Sequence, residues 1–294
     1  MTVPRLDLKR LDAAFGAEIT GIDLSRPLDA ATVADIQDAF DRHCLLLFRN
    51  QQLDPAAFAR FARHFGPLLR FRLLQPRPGK HAEHYSCPEE PDVTVIGTVE
   101  RNGWPAPMFT NSVGDWHIDE MYKPRPNRAT ALYAVETPGR GDDTVFAGMH
   151  AAYDALDDDT KARIEPLAGV YSVERLDAMF RASDPARPPL TERTLSANPP
   201  VRHPLVRSHP ATGRNGLFIA REPLSHVEGV APEASSALVH ALAAHAVRPQ
   251  FQYRHTWHAG DVLIWDNHFT MHRATAFDPG CCERLLLRTM IADR

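Results

Sequence analysis

The segment DVLIWDNHFTMHRATAFD, residues 261 to 278, joins an apolar strand to a polar turn that carries a histidine. Other short apolar runs along the chain are likewise separated by turn-forming residues: TALYAVE (130–136), TVFAGM (144–149), GLFIA (216–220), FQYRHTW (251–257) and RLLLRTMI (284–291). Short strands with turns between them are typical of an antiparallel β-sandwich or barrel. The sequence therefore predicts a mostly β fold with flanking helices.

The flanking helices are predicted from apolar residues at helical spacing. One helix is capped by Asp29 or Thr32, and a second begins at Asp54, has proline at its first helical position and stops at Gly66. Two more, over 151–165 and 232–247, are expected to pack on the sheet. Further strands are predicted at CLLLF (44–48) and VTVIGTV (93–99).

The whole chain, 1–294, is predicted to form a single domain, since no internal repeat is visible. Its segment 178–201 contains ASDPARPPLTERTLSANPP, the stretch richest in turn-forming residues. This composition predicts a long mobile excursion, which we interpret as a lid.

Composition excludes several classes of protein. The hydrophobic fraction of 44% supports a sizeable core, and a net charge of -4 without a basic tract argues against nucleic acid as a partner. No apolar run is long enough to span a membrane, and the N-terminus lacks a signal-peptide core, so we expect a soluble, cytoplasmic protein. A homo-oligomer is left open. All four cysteines, Cys44, Cys87, Cys281 and Cys282, are interpreted as free thiols, although the adjacent Cys281 and Cys282 could bind a soft metal or sense oxidants.

Three residues form a candidate metal site. DWHIDEMY, residues 115 to 122, places His117 and Asp119 two apart, so on an extended strand both side chains point to the same face. His272, expected in the polar turn after DVLIWDN, is the candidate third ligand. Two imidazoles and one carboxylate on one face of an octahedron are typical of non-haem iron(II) oxygenases. His-x-Asp alone is a short pattern that occurs by chance.

A second feature is a pair of arginines on one strand. Arg284 and Arg288 lie four residues apart in RLLLRTMI, so both are expected on the same face of an otherwise apolar strand. Unpaired charge is costly to bury, and the pair therefore predicts at least one anion in the interior. If 2-oxoglutarate bound to iron through its keto acid end, its distal carboxylate would still need a partner in the interior, and the planar guanidinium of arginine can pair with it through two hydrogen bonds.

These motifs together resemble the taurine and 2,4-dichlorophenoxyacetate dioxygenase family. The resemblance rests on WHID, on GDDT at 141–144, on WDNHFTMHRATAFD at 265–278 and on RLLLRT at 284–289. The stretches HPLVRSHPATGRNGLFI and SHVEG are similar to the dichlorophenoxyacetate branch, whereas residues 67–115 show little likeness. The family fold is a double-stranded β-helix, or jelly roll, in agreement with the pattern of strands.

The resemblance implies an iron(II) enzyme that uses 2-oxoglutarate and dioxygen, releases succinate and hydroxylates or desaturates a C–H bond. It places the iron ligands at His117, Asp119 and His272. Thr144 and Arg284 would hold the distal carboxylate of 2-oxoglutarate. Arg288 would hold an anionic group of the substrate.

The expected substrate is a small or medium-sized organic acid. Glu120 and Met121 replace small hydroxyl residues of the phenoxyacetate branch, so the cavity wall is bulkier and acidic, and an amine-bearing substrate is a further hypothesis. His226 is a candidate for the cavity wall, and Arg288 could instead form an internal salt bridge with a residue such as Glu120.

Other functions remain open from sequence alone. The two histidines and Asp119 would also suit a zinc hydrolase. A non-catalytic jelly-roll binding protein is the third alternative, but it has no reason to carry both a metal triad and an internal anion site. A halogenase would need a small residue in place of Asp119.

Overall fold

The computed structural model describes residues 6–75, 81–101, 103–108, 115–139, 141–221, 223–275 and 283–293. Within these ranges the chain forms sixteen strands and seven α-helices. The strands are β1 (Asp7–Arg10), β2 (Ala17–Thr20), β3 (Leu45–Phe48), β4 (Leu68–Leu69), β5 (Thr94–Gly97), β6 (Ala129–Glu136), β7 (Thr144–Gly148), β8 (Ala168–Tyr171), β9 (Val201–Pro204), β10 (Val206–Ser208), β11 (Asn215–Leu217), β12 (Leu224–Val227), β13 (Gln252–His255), β14 (Val262–Asp266), β15 (Thr270–Ala274) and β16 (Leu285–Ile291). The helices are α1 (Ala30–His43), α2 (Pro55–Arg63), α3 (Met149–Asp154), α4 (Asp158–Ile164), α5 (Val173–Ser183), α6 (Glu192–Ala197) and α7 (Pro232–Ala246), with short 3-10 helices at Ala82–Tyr85 and Pro249–Phe251.

Two sheets form the centre of the molecule. The larger has eight strands in the order β1-β2-β3-β14-β6-β16-β4, with β5 also paired to β16. The smaller has the order β13-β7-β15 and is antiparallel throughout. Strands distant in sequence are neighbours in both sheets, as in a jelly roll. The predicted mostly β, double-stranded β-helix fold is confirmed.

The large sheet buries both of its faces, because its strands alternate side chains between two hydrophobic layers. On one face Leu46 and Ile264 pack with Phe40 of α1 and Phe58 of α2. On the other, Leu47, Leu263 and Trp265 are in one cluster with Phe146 of the small sheet. The far side of the small sheet packs on α3 and α7. Polar side chains, among them Thr130, Thr144 and His272, lie in the space between the two sheets.

Helix starts follow the capping residues predicted from sequence. The side chains of Asp29 and Asp54 accept backbone N–H groups of Thr32 and Ala57 at 2.8 and 2.7 Å. The single helix predicted over 151–165 is wrong, since this region forms α3 and α4. Asp157 accepts the N–H of Thr160 at 2.8 Å and so caps a new helix in the middle of that range.

The segment 178–201 contains regular structure that its composition did not predict. It includes the end of α5 and the whole of α6, where the side chain of Thr191 caps the first turn. Local capping therefore allows a helix to form among the many turn-forming residues of this segment. The mobility of the segment stays a prediction. Its function as a lid stays a prediction.

The structure bears on two further expectations, that the cysteines are free thiols and that no segment spans a membrane, but only for the described residues. Cys44 and Cys87 are buried free thiols, whereas Cys281 and Cys282 lie outside the described residues. No helix within the described part of the chain is both long and apolar enough to cross a bilayer.

Candidate metal centre

Three side chains from distant parts of the chain converge between the two sheets. One ligand atom from each of His117, Asp119 and His272 lies within 4.8 Å of the others. Oδ1 of Asp119 is 3.8 Å from Nε2 of each histidine. Two imidazole nitrogens and one carboxylate oxygen so close together fit a single divalent transition-metal ion. The structure thus brings together all three residues that the sequence predicts as ligands.

Backbone pairing holds the two histidines side by side. The N–H of His117 donates to the carbonyl of His272 at 3.0 Å, and the N–H of His272 donates in return at 2.9 Å. The ring centroids are consequently 4.2 Å apart. Nδ1 of His117 donates to the carbonyl of Asp115 at 2.8 Å, which leaves the Nε2 lone pair free to bind a metal.

The local backbone differs from the prediction on both sides of this pair. Residues 115–122 do not form a regular strand: only His117 makes a bridge, and a turn begins at Asp119. Glu120 has a φ of 57°, in the left-handed region, which ends the extended run. His272 lies in strand β15 and not in a turn, because the polar sequence TMHRA pairs along β7.

The carboxylate of Asp119 is oriented by a chain of hydrogen bonds. The hydroxyl of Thr130 donates to Oδ2 of Asp119 at 2.6 Å and accepts from the side-chain amides of Asn127 and Asn267, each at 3.0 Å. Nε1 of Trp265 donates to Oδ1 of Asn267 at 2.9 Å. The side-chain NH₂ groups of Asn127 and Asn267 can only donate, so the Thr130 oxygen accepts both of these hydrogen bonds. The hydroxyl proton of Thr130 is therefore the one donated to Asp119. Oδ2 is thereby occupied and Oδ1 is left for the metal.

The charge states of the ligands suit a cation. Burial, together with the neighbouring His117, lowers the pKa of His272 to about 3, so the ring is neutral near pH 7. Burial opposes ionisation of Asp119, but the two histidines, Arg288 and the hydrogen bond from Thr130 outweigh it and lower its pKa. A neutral imidazole and an ionised carboxylate are the forms that bind metal.

A cavity of about 780 Å³ opens beside these ligands and contains the predicted co-substrate residues. Thr144, in β7, accepts a hydrogen bond from Nε1 of Trp257 at 3.0 Å, so its own proton can be donated into the cavity. Arg284 is almost fully buried, and burial lowers the pKa of its guanidinium. Its Nε lies 3.5 Å from Oδ2 of Asp142.

Arg288 lines the same cavity, as its spacing from Arg284 predicts. Its guanidinium lies 5.9 Å from the ring of Phe71, and no carboxylate in the described ranges comes within 4.0 Å of it. The alternative salt bridge with Glu120 is not formed, because Lys123 pairs with Glu120 at 2.6 Å. Arg288 is thus a half-buried cation that lines the cavity.

Comparison with known proteins agrees with this geometry. A profile of the taurine catabolism dioxygenase TauD, TfdA family matches residues 7–290. The chain belongs to this family. The TauD/TfdA resemblance predicted from the motifs is confirmed.

Relatives within the TauD/TfdA family match nearly the whole chain. The alpha-ketoglutarate-dependent 2,4-dichlorophenoxyacetate dioxygenase of Cupriavidus pinatubonensis is 33% identical over 286 residues, covering 96% of both chains. The alpha-ketoglutarate-dependent sulfate ester dioxygenase of Pseudomonas putida is 31% identical, covering 98% of this chain and 89% of the relative. The crystal structure of AAD-2 in complex with Mn(II) and N-oxalylglycine superposes with a TM-score of 0.79 at 26% identity, covering 100% of this chain and 98% of that one.

Two of the three further residues predicted for the substrate do line the cavity of this TauD/TfdA protein. Met121 is fully buried there, and Glu120 lies beside it. His226 does not, and that prediction is wrong. It is exposed on β12, which pairs with β8 in a separate small sheet. A register shift between Leu224 and His226 breaks the alternation from which an inward-pointing side chain would be expected.

Sequence reasoning missed several residues of this TauD/TfdA site. Thr130 is a hydroxyl residue within the apolar run TALYAVE, a pattern that could have marked it. The apolar wall that α5 contributes, Leu176, Met179 and Phe180, follows from no motif. These three residues have helical spacing, which by itself predicts only that they share one face of a helix.

Proposed function

We propose that this protein is an iron(II)- and 2-oxoglutarate-dependent dioxygenase that hydroxylates or desaturates an unactivated C–H bond of a small or medium-sized organic acid carrying a carboxylate. The observation that carries this proposal is the convergence of His117, Asp119 and His272 on a cavity that also contains Arg284 and Thr144. The alpha-ketoglutarate dependence named for the relatives supports it.

The metal would be held by Nε2 of His117, Oδ1 of Asp119 and Nε2 of His272. When bound, iron(II) supplies the redox chemistry that joins dioxygen activation to oxidation of 2-oxoglutarate. Thr130 keeps the second oxygen of Asp119 occupied, so that the carboxylate presents one oxygen and leaves room on the metal for other ligands.

The distal carboxylate of 2-oxoglutarate would pair with Arg284 and accept a hydrogen bond from Thr144. Arg284 is buried, so a carboxylate beside it interacts in a medium of low dielectric and is held more firmly than at a surface. N-oxalylglycine, bound in the crystal structure of AAD-2, has the skeleton of 2-oxoglutarate with NH in place of a methylene, which supports a site of this size and charge.

The substrate's anionic group would meet Arg288. Its remaining part would lie against the apolar wall formed by Leu176, Met179 and Phe180 of α5. Since Lys123 already pairs with Glu120, this arrangement favours an apolar body over an amine-bearing one. The small-molecule anions named in the relatives, an aryloxyacetate and sulfate esters, support an anionic substrate.

The same donor set could hold zinc, but the buried Arg284 and membership of a dioxygenase family favour the oxygenase over a zinc hydrolase or a non-catalytic binding protein. The oligomeric state and the absence of nucleic-acid or membrane partners stay predictions.

The test is metal and co-substrate binding under anaerobic conditions. We expect the protein to bind one iron(II) per chain and to develop a weak visible charge-transfer band when 2-oxoglutarate is added. His117→Ala, Asp119→Ala and His272→Ala should each abolish the band. His150→Ala is the matched control, because His150 is as buried as His272 but donates to the carbonyl of Asn215 outside the site. A band that persists in all three ligand variants would refute the metal assignment.

A further inference from the structure

A buried aspartate, Asp142, lies beside Arg284, and it neither binds the metal nor contacts the co-substrate in the proposed function. Asp142 is 1% exposed, and neither of its carboxylate oxygens accepts a hydrogen bond from another described residue. Its Oδ2 is 3.5 Å from Nε of Arg284. The next residue, Asp143, faces a different arginine and pairs with Arg254 at 2.6 Å. The two adjacent aspartates therefore lie beside two different arginines, Asp142 beside Arg284 and Asp143 beside Arg254.

The surroundings of Asp142 make its negative charge costly. Burial raises the pKa of this carboxyl, Asp143 raises it further, and Arg284 and the exposed His258 lower it only in part. Among the described residues, Arg284 is the cation that lies within ion-pair distance of Asp142. In the free protein, the charges of ionised Asp142 and of Arg284 therefore offset each other.

Binding of 2-oxoglutarate would change this balance. Its distal carboxylate would bring a second negative charge to the Arg284 guanidinium, inside a region of low dielectric. When two carboxylates share one site, one of them gains a strongly raised affinity for a proton. The distal carboxylate would also accept a hydrogen bond from Thr144, whereas neither carboxylate oxygen of Asp142 accepts one from another described residue, so Asp142 is the carboxylate expected to take the proton.

We infer that Asp142 takes up one proton from solvent when 2-oxoglutarate binds beside Arg284, so that co-substrate affinity is coupled to pH. This inference rests on the proposed function, since it requires the distal carboxylate to pair with Arg284. The proton adds to a carboxylate oxygen of Asp142, no electrons move, and the guanidinium is released to the co-substrate. Asp142 is thus a positioning residue that acts through Arg284.

The direction of the pH effect follows from linkage. If the complex holds more protons than the free protein, affinity falls as pH rises. The Kd for 2-oxoglutarate should therefore increase by up to about tenfold per pH unit, between the pKa of Asp142 in the free protein and its pKa in the complex. Asp142→Asn carries no charge, so its Kd should depend little on pH and should be lower than that of the wild type at the alkaline end.

The experiment is calorimetric titration of the Mn(II)-loaded protein with 2-oxoglutarate, from about pH 6 to about pH 8.5, in two buffers that differ in ionisation enthalpy. The difference between buffers counts the protons taken up. Wild type should take up protons and Asp142→Asn should not. Asp143→Asn is the matched control, because its side chain faces Arg254, and it should keep the uptake. Equal uptake in wild type and Asp142→Asn would overturn the inference.

A second measurement needs no variant. Infrared difference spectra of the wild-type protein with carboxyl-labelled aspartates should show a new protonated-acid band on addition of 2-oxoglutarate, and its absence would overturn the inference. Binding without proton uptake contradicts this coupling alone. A wild-type protein that fails to bind 2-oxoglutarate at any pH contradicts the proposed function as well.

Discussion

The hydroxyl of Thr130 donates a hydrogen bond of 2.6 Å to Oδ2 of Asp119, the carboxylate between the two histidines of the metal centre. Asn127 and Asn267 both donate to the same hydroxyl oxygen. The direction of every hydrogen bond around Thr130 is consequently determined, and Asp119 is presented to the metal through Oδ1.

Replacing Thr130 by valine removes this donor while keeping the shape of the side chain. Metal affinity should fall by about tenfold to a hundredfold, the range found when a partner of a metal ligand is lost. Anaerobic titration with iron(II) measures this directly. Thr289→Val is the control, since Thr289 is equally buried but donates to the carbonyl of Asp92. Equal losses in the two variants would argue that Thr130 is merely structural.

Arg284→Ala should weaken 2-oxoglutarate binding far more than iron binding. Loss of the charged partner of a buried carboxylate costs about 3 to 5 kcal/mol, or roughly a hundredfold to several thousandfold in Kd. Titration followed by the charge-transfer band or by calorimetry gives both affinities. Arg254→Ala, which removes a more exposed arginine paired with Asp143, should leave them unchanged. If the Kd for 2-oxoglutarate is unchanged in Arg284→Ala, Arg284 does not bind the distal carboxylate.

The same substitution should make stability depend on pH. Without Arg284, the buried Asp142 loses its neighbouring cation, so its pKa, already raised by burial, rises further. A carboxyl whose pKa is higher in the folded than in the unfolded protein destabilises the fold as pH rises above the unfolded value. Arg284→Ala should therefore unfold more easily at about pH 7 than at about pH 5, relative to wild type at each pH.

Urea unfolding at the two pH values measures this effect. Adding Asp142→Asn to Arg284→Ala should restore much of the stability without restoring 2-oxoglutarate binding. A double variant as unstable as Arg284→Ala would show that Asp142 is not the source of the loss.

Arg288→Ala should impair use of the primary substrate and leave the Kd for 2-oxoglutarate nearly unchanged. The loss of a buried charged partner, about 2 to 5 kcal/mol, predicts a fall in kcat/KM of roughly thirtyfold or more. The measurement is succinate release over aryloxyalkanoates, sulfonates, amino acids and their N-modified derivatives. Arg288→Lys retains the charge without the planar fork and should be intermediate. If the best substrate is uncharged, or if Arg288→Ala turns the substrate over normally, Arg288 has a structural role and does not bind the substrate.

The segment 178–201 should be protected from proteolysis when 2-oxoglutarate and substrate are bound, because α5 forms part of the cavity wall. Gln75 holds it in place: its side chain accepts the N–H of Thr191 at 2.8 Å and donates to the carbonyl of Pro189 at 3.2 Å. Gln75→Ala should accelerate cutting between α5 and α6. Gln252→Ala, whose amide bonds to Val247 elsewhere, is the control. If the rate of cutting is the same with and without the ligands, and the same in wild type and Gln75→Ala, the segment is not a lid.

Several elements could be predicted from sequence because their causes are local. The strand at 44–48 and the helix that begins at Asp54 follow from runs of apolar residues and from a capping side chain within a few residues. The split between α3 and α4 was missed because Asp157 competes as a cap inside a continuous helical pattern.

By itself the sequence determined an antiparallel β fold from strand patterning, and it determined the candidate ligands and the family, with its jelly roll, from the order of the motifs. Strand patterning and motif order are properties of residue type and spacing. Only the tertiary structure decided that His117 pairs with His272, that Thr130 meets Asn267 across 137 residues, that Asp142 lies beside Arg284 and that His226 faces outward. These contacts join segments far apart in the chain, and a single register shift, such as the one between Leu224 and His226, changes the face to which a side chain points. The spacing of residues along one strand specifies neither the contacts between distant strands nor the position of a register shift.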